Sequence, residues 1–166
     1  MVMAQDQVRW TPDVRLIWAQ YLAKPEMSNG ASAMTAYVTS YNDGCKDGVY
    51  WRDVYVAFLP AKSWVKFDVL YDGGSQALQH ERTHFDIGEL HARRMRRALD
   101  ELKTPCEMTD DERGRVAQAS MRDDREMQAR YDRETKFGVD GPRQDEWTRR
   151  IRTDLDRLKT FAASAR

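Results

Sequence analysis

From Ser75 to about Lys103 no proline interrupts the chain, and Leu78, Phe85, Ala92, Met95, Leu99 and Leu102 recur at spacings of seven, three and four. Apolar residues at that period form one continuous stripe, which predicts a long helix with Ser75 as its N-cap. On its outer face, Arg82–Asp86 and Glu89–Arg93 are opposite charges four residues apart. Arg93-Arg-Met-Arg-Arg97 therefore reads as a solvated helix face, not as a nucleic-acid patch.

The chain on either side of Asp72-Gly-Gly74 has two different characters. Before it, Val8-Arg-Trp10, Val14 to Trp18, Ser32 to Tyr41 and Val49 to Leu59 are rich in Val, Thr, Tyr and Trp. Pro25, Asn29-Gly30 and Asp43-Gly44 punctuate them, which predicts strands and turns in a small, mainly antiparallel sheet. After it, Pro105 breaks the long helix, and Thr109 or Asp110 can cap a second running to about Lys136. A third begins with Pro142 in its first turn and carries the stripe Trp147, Ile151, Leu155, Leu158, Phe161. The expected class is α+β: one domain over 1–166, strand-rich over 1–72 and helical over 75–166.

Lys and Arg together number 27, as do Asp and Glu. A formal charge of zero offers no field for nucleic acid or an anionic membrane surface. The longest apolar stretch, near Val54 to Leu59, falls far short of the roughly 20 residues of a membrane span. Cys45 and Cys106 lack CxxC spacing, so they form either one structural disulfide or two inert thiols. A disulfide would imply an oxidising compartment. The start, Met1-Val-Met-Ala-Gln-Asp6, shows no signal peptide and is compatible with a chain from which one was removed.

His80-Glu-Arg-Thr-His84 has the form H-E-x-x-H, on a helix inferred from other residues. One turn apart on one face, two imidazoles can converge on a single ion, with zinc the expected metal. Glu81 stands beside that face, placed as general base toward water activated by the metal. Five-residue patterns also arise by chance on polar helices. This one borders the apolar stripe, and all three histidines of the chain lie on the same helix.

The third ligand is open. His91 lies about 10 Å beyond His84 along a straight helix, too far for one ion. If the first two long helices fold back around Pro105, position 84 comes level with about 126 and position 80 with about 130. That makes Glu126, Asp132 and Glu134 the carboxylate candidates, with Asp123 further off. Tyr131 or Arg130 could then stabilise an oxyanion.

The stretch Leu78-Gln-His-Glu-Arg-Thr-His-Phe-Asp-Ile-Gly-Glu-Leu-His-Ala-Arg-Arg94 extends well beyond the short motif. It resembles the bacterial domain-of-unknown-function family 922, commonly described as secreted zinc-dependent proteases, whose signature runs H-E-x-x-H-F-D-I-x-E followed by Ala-Arg. Leu16-Ile-Trp18, Lys24-Pro25, Ser63-Trp64-Val65, Tyr131-Asp-Arg-Glu-Thr135 and Trp147 are weaker matches. The resemblance implies a zincin-like α+β domain exported to the periplasm or beyond, with His80 and His84 as ligands and Glu81 as base. In the family pattern Tyr-Asp-x-x-Thr is followed by x-His-Gly, whereas here Lys136-Phe137-Gly138 stands. If that histidine is the family's third ligand, Asp132 or Glu126 must replace it.

The expected function is that of a zinc metallopeptidase, acting on a peptide or protein laid along the Tyr50–Leu59 strand. The alternative is a non-catalytic cell-envelope binding protein that keeps the fold with a degenerate or structural metal site. Substrate identity and oligomeric state are not legible in the sequence.

Overall fold

A computed structural model describes residues 7–28, 30–71 and 74–163. The expected turn residues Asn29, Asp72 and Gly73 and the first six residues lie outside that set. The elements are β1 (Val8–Arg9), β2 (Ala33–Met34), β3 (Tyr37–Lys46), β4 (Val49–Phe58), β5 (Trp64–Val65), α1 (Phe67–Tyr71), α2 (Ser75–Asp100), α3 (Asp110–Thr135) and α4 (Gly141–Arg157). The class is α+β, with a small antiparallel sheet and three long helices.

β3 and β4 form a hairpin in register from Tyr37–Phe58 to Lys46–Val49. Its two-residue loop is Asp47-Gly48, both at positive φ, the type I′ turn that matches strand twist. The turn falls four residues beyond the Asp43-Gly44 expected from the sequence. Asp43 and Gly44 continue β3, and a Cβ on Gly44 would lie 3.1 Å from the Trp51 ring stacked over it. Cys45, in the same strand, is disulfide-bonded to Cys106. β1 extends the sheet on the far side of β4.

Ser32 to Tyr41 is not one strand. The Ala36 amide donates to Ser63 Oγ, the chain changes partners there, and β2 pairs with β5 in a separate two-stranded ribbon. Val14–Trp18 is also not a strand; it is loop leading into a short 3₁₀ turn at Trp18–Gln20. The cap of α2 is Gly74 at positive φ, not Ser75. Thr109 caps α3 in a capping box with Glu112, and Asp140 caps α4.

α2 is buried on more than one side. Phe85, Ala92, Met95 and Leu99 pack with Val54, Val56 and Phe58 of β4. Ile87 and Leu90 pack instead with Met127 and Tyr131 of α3 and Trp147 and Ile151 of α4. A helix buried all round has little room for a solvated face, and the expected charged face is largely absent. Glu89 is 1% exposed at its side chain and Arg96 0%. Glu89 accepts from Arg93 Nε (2.9 Å) and from Arg96 Nη1 (3.0 Å) and Nη2 (3.2 Å). The same guanidiniums donate to the carbonyls of Leu155, Val54 and Phe161. One buried carboxylate thus joins α2 to the sheet, to α4 and to the C-terminal segment. Of the two expected i,i+4 pairs Glu89–Arg93 forms and Arg82–Asp86 does not: Arg82 donates to the Leu16 carbonyl and Asp86 accepts from Trp10.

Removing Glu89 leaves two buried guanidiniums without their shared carboxylate. Glu89→Ala should cost about 3–5 kcal/mol, read as a lower midpoint in urea unfolding. A loss below about 1 kcal/mol would mean that the network behaves like a surface pair.

Candidate metal centre

α2 and α3 run side by side, and Tyr131 fixes their register. Its ring is fully buried and stacks on His80, with centroids 4.7 Å apart. Its hydroxyl lies 3.3 Å from the His80 carbonyl and donates to Gln144 Oε1 at 2.7 Å. His84 lies against Gln128, which donates to its carbonyl at 3.0 Å. The register is therefore near 84–128 and 80–132, about two residues along from that expected. Gly138 closes the turn after α3 onto the site at φ +83, where a Cβ would come within 2.9 Å of the His80 ring.

This register brings three donor atoms together. His80 Nε2 and His84 Nε2 are 3.0 Å apart, and Asp132 Oδ1 lies 3.1 and 3.0 Å from them. Donors sharing a tetrahedral ion at 2.0–2.1 Å sit about 3.3–3.4 Å from one another, so the triangle is close to a ligand set. No other group of three His, Cys, Asp or Glu side chains among the described residues meets so closely.

Two glutamines decide what the rings present. Gln128 Nε2 has Tyr37 Oη, the His84 carbonyl and Asp124 Oδ1 as acceptors for its two N–H groups, so its oxygen faces His84 Nδ1 at 2.5 Å. Gln144 Oε1 accepts from the Tyr131 hydroxyl and faces His80 Nδ1 at 3.0 Å. An amide oxygen can only accept, so both imidazoles carry their proton on Nδ1. Each Nε2 then points a lone pair at the other and at a carboxylate oxygen. Three lone pairs at this separation repel unless a cation lies among them, and the residues fit a divalent ion. Two neutral imidazoles and one carboxylate suit zinc among the common metals. Without metal the cluster favours a proton. Burial alone would lower the His84 pKa, but a hydrogen bond to Asp132 and the charge of Glu81 raise it above the ordinary value. Burial would raise Asp132, and its contacts with His80 and His84 hold it well below the usual carboxylate range.

Glu81 is 5% exposed, and its Oε2 has no hydrogen-bond partner among the described residues. It lines a cavity of about 410 Å³ together with His80, His84, Asp132, Phe137 and the Ala31–Thr35 segment. Phe137, 68% exposed and at φ +55, stands on that cavity where the family pattern has histidine. Among the carboxylate candidates, Asp132 is the one that lies beside both histidines.

The remaining candidates lie elsewhere. Glu134 is tied to Arg143 at 2.5 Å and to Trp147 at 2.9 Å. His91, Glu126 and Asp123 line a different groove. Tyr131 is packed behind the histidines and Arg130 lies 5.3 Å from the Trp147 ring centre, so neither reaches the cavity as an oxyanion donor. The Tyr50–Leu59 strand contributes no lining residue, because β4 is the middle strand of its sheet. Gln128 and Gln144 escaped the sequence reading, since glutamines on amphipathic helices carry no spacing signal.

Residues 61–138 match the model of the family described as "Bacterial protein of unknown function (DUF922)". The match supports the family that the sequence resembles. It covers just under half of the chain, from the turn before β5 through α3, and contains all three convergent donors and Glu81. No curated protein and no solved structure matches the chain. Within the DUF922 region the glutamine contact to His84 is internal, whereas Gln144 lies beyond it, on α4.

Both glutamines should matter to affinity without touching the ion. Gln128→Leu or Gln144→Leu should weaken metal binding about 10–100-fold, and Asp132→Ala should weaken it further, measured by competition with a chromophoric chelator. Unchanged affinity in all three variants would place the metal elsewhere.

Proposed function

We propose that the chain is a zinc-dependent peptidase with a zincin-like centre, in which His80, His84 and Asp132 hold the metal. The observation that carries this reading is the unpartnered Oε2 of Glu81, buried beside three convergent donors in an accessible cavity. A carboxylate left without a partner costs stability, and a purely structural metal site gives it no task. Zinc held by these donors supplies Lewis acidity to a peptide carbonyl and to water. Glu81 takes a proton from the attacking water at Oε2 and passes it to the amide nitrogen as the carbon–nitrogen bond breaks. His80 and His84 keep their orientation through Gln144 and Gln128.

The substrate peptide lies along Ala31–Thr35, which borders the cavity, and not along β4. β2 is paired with β5 in a two-stranded ribbon, and strand addition needs such an exposed edge. An apolar substrate side chain packs against Phe137 and Met34, both exposed on the cavity wall. The Cys45–Cys106 disulfide supports a periplasmic or secreted location. No helix among the described residues is long and apolar enough to cross a membrane.

The alternative, a non-catalytic envelope binding protein, drew its support from Phe137 in place of histidine. Asp132 beside His80 and His84 supports the peptidase reading over it.

Metal-loaded protein should cleave a quenched-fluorescence peptide library, and a chelator should stop it. Glu81→Gln should lower the rate about 10²–10⁴-fold while retaining the metal. Cleavage that survives Glu81→Gln removes the role assigned to that carboxylate.

A further inference from the structure

Two other buried atoms without a hydrogen-bond partner among the described residues, His91 Nδ1 and Arg130 Nε, belong to residues lining one groove. The groove, of about 480 Å³, lies between α2 and α3 and shares no lining residue with the metal cavity. Arg94 Nη1 approaches His91 Nε2 at 3.5 Å. A guanidinium can only donate, so Nε2 is the accepting nitrogen and the ring proton sits on Nδ1. Burial and the charge of Arg94 outweigh Asp123 and push the His91 pKa down to about 4, so the ring is neutral near pH 7. His91 is 3% exposed and holds an N–H with no acceptor among the described residues.

Arg94, Arg130 and Arg133 line the same groove. Unlike Arg93 and Arg96, which share the Glu89 carboxylate, none of the three forms an ion pair among the described residues. The groove also holds Asp123 and Glu126, so three guanidiniums face two carboxylates. The surplus of one positive charge, with the two carboxylates present, suits a small anion and disfavours an extended polyanion. Donors outnumber acceptors in the groove: against the two carboxylates stand a buried imidazole N–H, a buried guanidinium N–H and two further arginines. Tetrahedral oxyanions supply several acceptor oxygens at once and match the guanidinium fork.

We propose that this groove binds a small phosphate-type oxyanion, either free phosphate or a phosphate monoester, held by Arg94, Arg130 and Arg133 with His91 at its floor. The site is separate from the metal centre, and the assignment does not rest on peptidase activity.

The test titrates inorganic phosphate, glycerol 3-phosphate and chloride into metal-loaded protein at pH 7 and constant ionic strength. Imidazole and guanidinium ¹H–¹⁵N signals and calorimetry report binding. Phosphate should shift the His91 and Arg130 signals saturably, and chloride should not. Arg94→Ala or Arg130→Ala should weaken binding at least about tenfold. Glu126→Gln should tighten it about two- to fivefold, a gain that a damaged fold cannot produce. Tighter binding of glycerol 3-phosphate than of phosphate identifies a monoester as the ligand, and equal binding identifies free phosphate. The proposal is overturned if His91 responds to phosphate only as it does to chloride. It is also overturned if the arginine variants bind like wild type, or if the shifts appear at His84, which would place phosphate at the metal.

Discussion

Glu89 is the point at which α2 is fixed. A carboxylate excluded from water is tolerable only when charged donors surround it, and Arg93 and Arg96 do so while also reaching carbonyls of β4, α4 and the last turn. Because these partners come from three directions, α2 has little freedom to rotate about its axis. His80, Glu81 and His84 lie about two turns nearer the N-terminus and inherit that orientation, which turns the imidazoles toward α3. The stripe of Phe85, Met95 and Leu99 supplies burial. It does not by itself select which polar residues face the neighbouring helix.

The second constraint is that the histidines are oriented before any ion arrives. Gln128 is locked by three acceptors for its amide nitrogen, and Gln144 takes the Tyr131 hydroxyl, so neither can turn its nitrogen toward the ring it serves without losing those bonds. Tyr37 participates because Gly88 lets its ring approach α2, where a Cβ would come within 2.8 Å. Its hydroxyl donates to Asp124 at 2.7 Å, and burial beside that carboxylate pushes its pKa well up. The chain of contacts runs from the sheet through α3 to the ring nitrogen, and each link is short and directional. Such preorganisation lowers the ordering cost of metal binding.

Much of this was legible from the residues. The helix period from Leu78 onward, the Pro105 break, the Thr109 cap and the pairing of His80 with His84 all rest on local rules of spacing and capping, and local rules survive folding. What was not legible depended on long-range partners. Arg93 and Arg96 look like a solvated basic run because their i,i+4 charges are balanced within the helix. Only the approach of β4 and α4 buries them. The Asp43-Gly44 signal is a good turn dipeptide, but Asp47-Gly48 takes the turn and leaves Cys45 in a strand facing Cys106. The carboxylate that meets the two histidines could be narrowed to a few on α3. Finding that it is Asp132 required the register, which Tyr131 stacking on His80 shifts by about two residues.

The polar atoms left unpartnered in the two cavities are of opposite kinds. Toward the metal cavity the orphan is an acceptor, Glu81 Oε2; toward the other groove the orphans are donors, His91 Nδ1 and Arg130 Nε. Positions 81 and 91 lie on one helix, about 15 Å apart along its axis, too far for one small ligand to satisfy both. An orphan acceptor suits an occupant that brings positive charge or a proton, and orphan donors suit one that brings oxygen lone pairs. The Glu89 network sits between them on α2. It therefore sets the angle of each site by the same contacts, and loosening it should disturb both together.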